Sequence, residues 1–288
     1  MNTVAAPPPR PSLTASTAAA DDIASQDWTG GPLDCTACPY RTLRERTERE
    51  GCMPGHACLQ EAYALRINRF FRWHPELADE QLAHPYFEVR AIAARYASVF
   101  RLTGLIHDPD ETVRLQVALR LPLAQLTQLA HDPHREVRIR VAQRLTPAAL
   151  AALRNDPDYG VRELVAQRIV PALLPTLRHD RDRAVRQCVA QRLDMPALLD
   201  MADDTEAEVR RVVAQRLPVP LLSRLITDPD WRVRWEVAQR ADASVLRRLA
   251  DDIDPEVRCA VHERLATPPS RLPPVGDRPT PNTGAAHG

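Results

Sequence analysis

Four cysteines fall within one short stretch, Cys35, Cys38, Cys52 and Cys58, in the spacing C-x2-C-x13-C-x5-C. Thiolate is the soft donor that zinc and iron–sulfur clusters select, and four thiolates satisfy either. The CxxC pair presents two thiolates to one centre from a tight turn. Between the pairs, the segment TLRERTERE (residues 42–50) predicts a short charged helix that returns the chain. The segment ACLQEAYALRINRFFRW (residues 57–73) predicts a longer helix opening at Cys58, with the thiolate at the positive end of the dipole. A zinc ribbon usually repeats CxxC, whereas the second pair here is CxxxxxC. The wider pair suits the larger four-iron cube, with zinc as the alternative metal. His56 lies inside the loop but is not needed once four thiolates are present. The contrasting reading is four unrelated reduced thiols.

Composition removes several classes of chemistry. The chain carries 38 basic side chains and all are Arg, so no lysine serves a P-loop or a Schiff base. The 38 acidic residues balance them, which argues against nucleic-acid binding by bulk charge but leaves room for a local basic face. No Ser/His/Asp, HExxH, P-loop or GxGxxG pattern occurs, and no enzyme is expected. The sequence has no apolar run of 18 residues and no apolar core in its first 20, so neither a membrane span nor a secretory signal is predicted. A cytoplasmic protein with reduced cysteines is the expectation.

The elements that must position the thiols come next along the chain. Val-Arg pairs begin at Val89, Val113, Val137, Val161, Val185, Val209, Val233 and Val257, each 24 residues after the last (113 − 89 = 24). A fixed period of this size predicts a solenoid. Within a repeat, Val137, Val141 and Leu145 stand at positions 0, +4 and +8, one stripe of a helix. Asp-Pro pairs such as Asp108-Pro109 and Asp132-Pro133 predict an N-cap followed by Pro at the first helical position. Leucine pairs three apart, such as Leu126/Leu129 and Leu150/Leu153, predict a short 3₁₀ turn. Phe70, Phe71, Trp73, Tyr86, Phe87, Tyr96 and Phe100 gather around the first repeat and predict that the preceding segment caps the array. The other end shows polar His262 where earlier repeats carry Ala.

The fold class expected is therefore all-α: a solenoid of eight 24-residue repeats with a small N-terminal module. The division expected is a disordered segment 1–33, a cluster module 34–80, a repeat array 81–267 and a disordered Pro-rich tail 268–288. Arg recurs at +1 in all eight repeats and at +7 in seven. Both columns border the apolar stripe, and the Asp column is the natural partner. The second use considered for them is an anion-binding stripe. Gln at +6, in Gln143, Gln167, Gln191, Gln215 and Gln239, points away from the stripe. These Gln residues, with Arg144, Arg168, Arg192 and Arg216, are the candidate partner-binding positions. Trp231 and Trp235 could mark a contact patch. Cys188 and Cys259 read as small packing residues.

The cluster segment, followed by FFRWHPELA, HPYFEVRAIAARYA and repeats of the form DPxxxVRxxVAQRL, resembles the leucine-rich repeat variant family with an N-terminal iron–sulfur module. The resemblance covers about residues 34–267. It implies a four-iron four-sulfur cluster on Cys35, Cys38, Cys52 and Cys58, and a right-handed solenoid of alternating α and 3₁₀ helices. It also implies a setting close to nitrogen-fixation genes, without a defined reaction. Tyr96 departs from the pattern, because later repeats carry Arg there. The function expected is an iron–sulfur-containing scaffold that binds a protein partner, as a redox- or oxygen-responsive adaptor linked to nitrogen fixation. The alternatives are a nucleic-acid-binding solenoid using its Arg columns and an electron carrier.

Overall fold

The computed structural model describes residues 23–45 and 51–266. Residues 1–22 and 267–288, which hold most of the segments expected to be disordered, lie outside the described residues, as do residues 46–50 of the predicted charged helix. Its first residues, within Arg41–Glu45, form a 3₁₀ turn. The chain divides into two compact units, residues 1–145 and 146–288. No helix among the described residues is long and apolar enough to cross a membrane. They contain no strand, only isolated bridges joining Asp27 to Glu61 and Met53 to Ala57.

The first unit holds the cysteine module, α1 (Ala64–Trp73), α2 (Phe87–Tyr96), α3 (Glu111–Arg120), the single turn α4 (Leu123–Leu126) and α5 (Arg135–Arg144). In the second unit, α6 (Tyr159–Arg168), α7 (Arg183–Arg192), α8 (Ala207–Arg216) and α9 (Trp231–Arg240) follow one another. Then come α10 (Ala243–Arg248) and α11 (Pro255–Ala266). Short 3₁₀ turns such as Val99–Leu105, Pro171–Leu177 and Val219–Leu225 separate the longer helices, as the leucine spacing predicts. Each repeat is thus one ten-residue helix and one short turn.

The stripe at 0, +4 and +8 forms the core in both units. Val113, Val117 and Leu121 are fully buried, and so are Val161, Val165 and Ile169. Each such side chain contributes about 1.5–3 kcal/mol by leaving water. Ala at +5 (Ala118, Ala166, Ala190, Ala214) is also buried, where a small residue lets neighbouring helices approach.

The Asp-Pro pairs do not cap the helices. The N-cap lies two residues further on: Asp110 accepts from the Thr112 amide, Asp182 from Ala184 and Asp230 from Arg232, each at 2.8 Å. The earlier Asp closes a turn onto that N-cap residue, as Asp108 does with the Asp110 amide at 3.0 Å. Its carboxylate is claimed instead by the +1 Arg of the preceding repeat. Arg90 clasps Asp108 and Arg114 clasps Asp132 in the first unit. Arg162, Arg186, Arg210 and Arg234 clasp Asp180, Asp204, Asp228 and Asp252 in the second. Each pair is bidentate, with the Nε bond at 2.7 Å. The remaining Nη1 turns back to a carbonyl six residues upstream, as from Arg210 to Asp204 at 2.7 Å. A planar fork can make all three bonds at once and a lysine ammonium cannot, so this column requires arginine.

The +7 column also staples repeats. Arg120 donates to the Ala94 carbonyl, Arg144 to Ala118, Arg192 to Ala166 and Ile169, and Arg216 to Ala190 and Leu193. The Ala acceptors lie in the last turn of the preceding helix, where carbonyls lack an intrahelical donor and the dipole favours a cation. This explains Tyr96. Its repeat follows α1 rather than another repeat, and its hydroxyl donates to Asn68 at 3.0 Å while its ring stacks on Phe71.

Candidate metal centre

The cysteine segment folds with little regular structure, held by local polar turns. Asp34 Oδ1 accepts from the Thr36 amide at 2.8 Å, the Thr36 hydroxyl at 2.6 Å and the Ala37 amide at 3.3 Å, which shapes the turn of the CxxC pair. The Arg41 amide then donates to the Cys38 carbonyl and starts the 3₁₀ turn. After the return, the Cys52 amide donates to the Leu43 carbonyl at 3.3 Å. Met53 and Ala57 exchange backbone bonds around Gly55, whose φ of 81° favours glycine. The Gly55 amide donates to Glu61 at 2.5 Å.

Cys58 does not open a helix. It is buried in irregular chain, with its amide donating to the Arg66 carbonyl, and α1 begins only at Ala64. The segment between is diverted by a buried ion pair. Arg66 meets Glu61 at 2.5 Å with both side chains 1% exposed, and Arg66 also donates to the Ile23 carbonyl. The predicted dipole assistance to Cys58 is therefore absent.

These turns bring all four cysteines to the wall of one small pocket, shared with Leu33, Asp34, Tyr40, Arg41, Arg44 and Gln60. Cys58 forms the buried side, and Cys35, Cys38 and Cys52 are half-buried. Cys58 shares a hydrogen bond with Cys52, which holds the Cys52 thiol below its ordinary pKa and, with burial, pushes Cys58 well above. Burial likewise raises Cys38. Thiolates this close repel each other, and a cationic centre among them is what allows all four to ionise. No three His, Cys, Asp or Glu side chains among the described residues are arranged to hold a single metal ion. Four soft thiols on one pocket wall are a donor set that fits an iron–sulfur cluster and equally a zinc ion. His56 does not line the cavity: it meets Arg69 at 3.2 Å and packs on Trp73.

The module is joined to the first repeat by aromatic contacts. Tyr40, beside the thiols, packs edge-on against Phe70 of α1 and bonds Gln81. Trp28 stacks on Tyr86 and meets His84 edge-on. The ordered module therefore begins before Asp34: residues 23–33, expected within the disordered segment, pack onto it. Phe100 takes no part in the aromatic cap and is 90% exposed.

The other candidate positions are scattered along the repeats. Gln143, Gln167, Gln191 and Gln215 are exposed and Gln239 is half-buried. Gln143 accepts from Arg140 within its helix, and Gln215 donates to Glu236 of the next repeat at 2.6 Å. Arg144, Arg168, Arg192 and Arg216 are half-buried, and three of them hold the carbonyls described above. Trp231 is 40% exposed and Trp235 half-buried. Cys188 is buried as expected, whereas Cys259 is exposed beside Glu263. Sequence reading missed the Glu61–Arg66 pair, because inside a presumed helix those residues pass for surface charges.

A solved structure described as a leucine-rich repeat variant with a novel repetitive structural motif matches this fold with a TM-score of 0.74 and 47% sequence identity. The match covers 81% of this chain and 98% of that one. The chain belongs to the leucine-rich repeat variant family. Residues 25–80 of this leucine-rich repeat variant protein match the family model of the FeS4 cluster of such proteins, and residues 111–134 match the repeat itself. A curated relative, an uncharacterised 27.7 kDa protein of the nifB 3′ region of Rhodobacter capsulatus, is 54% identical over 98 residues. That match spans 34% of this chain and 39% of the relative.

Proposed function

We propose that this protein is a non-enzymatic repeat scaffold carrying a four-iron four-sulfur cluster on Cys35, Cys38, Cys52 and Cys58, and that it binds a protein partner in a cluster-dependent way. The observation that carries the reading is the cavity walled by all four thiols, linked through Tyr40 to Phe70 and Gln81 at the start of the array. The bound cluster would supply one-electron chemistry and sensitivity to oxygen. Residues of the chain itself supply the coupling, since a displaced Cys38 segment moves Tyr40 and hence the face of α1. The relative from the nifB 3′ region supports a role alongside nitrogen fixation, and the cytoplasm is the compartment proposed for it. The exposed Gln column and Trp231 offer the partner surface. Engagement of the +1 guanidiniums by Asp, and of the +7 guanidiniums by carbonyls, leaves the nucleic-acid reading the weaker one. One observation favours an electron carrier as the second reading: three of the four thiols are only half-buried.

The test is anaerobic purification with iron and acid-labile sulfide analysis, visible absorption and EPR before and after dithionite. About four irons and four sulfides per chain support the cluster. One zinc and no sulfide would overturn it. Cross-linking to a partner that is identical with and without the cluster would overturn the adaptor role.

A further inference from the structure

The cavity wall carries two cations that the repeats do not explain. Arg41 and Arg44 lie three residues apart in the Arg41–Glu45 3₁₀ turn, where residues at that spacing eclipse and leave from the same side. Both line the thiol cavity. The turn is fastened to the cysteine segments at each side, through the Arg41 amide to Cys38 and the Leu43 carbonyl to Cys52. Arginines of the +1 column are clasped by carboxylates, but no ion pair or side-chain hydrogen bond joins Arg41 or Arg44 to any other described residue. Among the described carboxylates near the pocket, Asp34 is bonded to Thr36 and Ala37, and Glu61 to Gly55 and Arg66.

We propose that Arg41 and Arg44 form a cationic rim that stabilises the reduced cluster and so raises its reduction potential. This rests on the cluster reading above. Four thiolates leave the centre with net negative charge, and the electron donated by dithionite adds one more negative charge to the same volume. A cation at the wall opposes that repulsion, and more so in the reduced state. Both guanidiniums are exposed, so the effect is screened by salt.

The experiment is an EPR-monitored redox titration of the anaerobically purified, cluster-loaded full chain, with iron and sulfide measured on each sample. In Arg41→Gln/Arg44→Gln at low salt, the reduced-to-oxidised ratio at fixed potential is expected to fall about tenfold, equivalent to a potential about 59 mV more negative. Arg41→Lys/Arg44→Lys restores the wild-type value, which a purely structural role would not. Wild-type potential becomes more negative as salt rises from about 0.01 M to 1 M. An unchanged potential in a fully loaded glutamine variant overturns the proposal, as does a lysine variant that behaves like glutamine. Should the glutamine variants lose their iron, a wild-type potential indifferent to salt overturns it. A wild-type chain without iron removes the cluster reading itself, which is a different result.

Discussion

The cysteine module and the repeats reach order by opposite routes. A repeat is held by interactions that recur: a Val/Leu stripe, an Arg–Asp clasp and an Arg–carbonyl staple, the same in α3 as in α8. The module is held by interactions that occur once: Glu61 with Arg66, Tyr40 with Gln81 and Trp28 with Tyr86. Recurrence makes each contact in a repeat one of many with the same purpose, and stability is a sum of near-neighbour terms. The module has no such redundancy and few long helices, so each of its contacts stands alone. A region of this kind is exposed to the loss of one contact, whereas a region of recurring clasps resists it.

Breaking that contrast is straightforward, and the largest effect is expected at the thiols. Cys58→Ser removes the most buried donor. Iron should fall to background and amide protection should collapse over residues 23–80, while residues 146–266 keep theirs by hydrogen-exchange mass spectrometry. Next comes Glu61→Gln, which takes the carboxylate from buried Arg66 and should cost the module about 3–5 kcal/mol, read by denaturant titration with iron retention as the second readout. Asp228→Ala attacks one clasp of the second unit. About 3 kcal/mol is expected, the low end of the range for a broken buried pair, because Arg210 keeps its carbonyls on Asp204 and Thr205. Exchange protection should fall around α8 and α9 without loss of iron.

Acid tests the next clasp along, Arg234 with Asp252, more gently. The Arg234 guanidinium holds the Asp252 carboxyl below its ordinary value of 3.8. A carboxylate lowered by folding contributes stability that is complete above that value and is lost as the pH falls through its lower folded value. Protection of α9 and α11 should therefore be constant down to about pH 5 and decline only below it. The smallest effect belongs to Gln191→Ala, an exposed position, where stability should stay within about 0.5 kcal/mol in a thermal melt. A larger loss would make the Gln column part of the scaffold rather than a free surface.

Much of this was legible because the signals were periodic or chemically narrow. Repetition of Val, Arg and Asp every 24 residues predicts the helix, the short turn and even the Asp partner of the clasped +1 arginines. Asp108 shows the limit. Asp-Pro reads as an N-cap because both residue types favour that place, but the carboxylate is drawn to Arg90 and Asp110 caps instead. Local preference for a cap is worth about 1 kcal/mol, and a bidentate clasp in a partly buried site outweighs it. Cys58 fails for a related reason: the sequence around it is helical in composition, and a buried pair five residues apart bends it away from a helix.

The sequence by itself determined the repeat, its core stripe, the four-thiol set and the exclusion of lysine chemistry, because these depend on residue type and spacing alone. Only the tertiary structure decided that the +7 column bonds carbonyls of the preceding repeat rather than the Asp column, that Tyr96 replaces a staple where no repeat precedes it, and that Arg41 and Arg44 stand at the thiol pocket. Those choices depend on which charged group lies within hydrogen-bonding reach after the chain has folded. Residues 18 to 26 positions apart, or on the two arms of a loop, are brought into that reach only by packing.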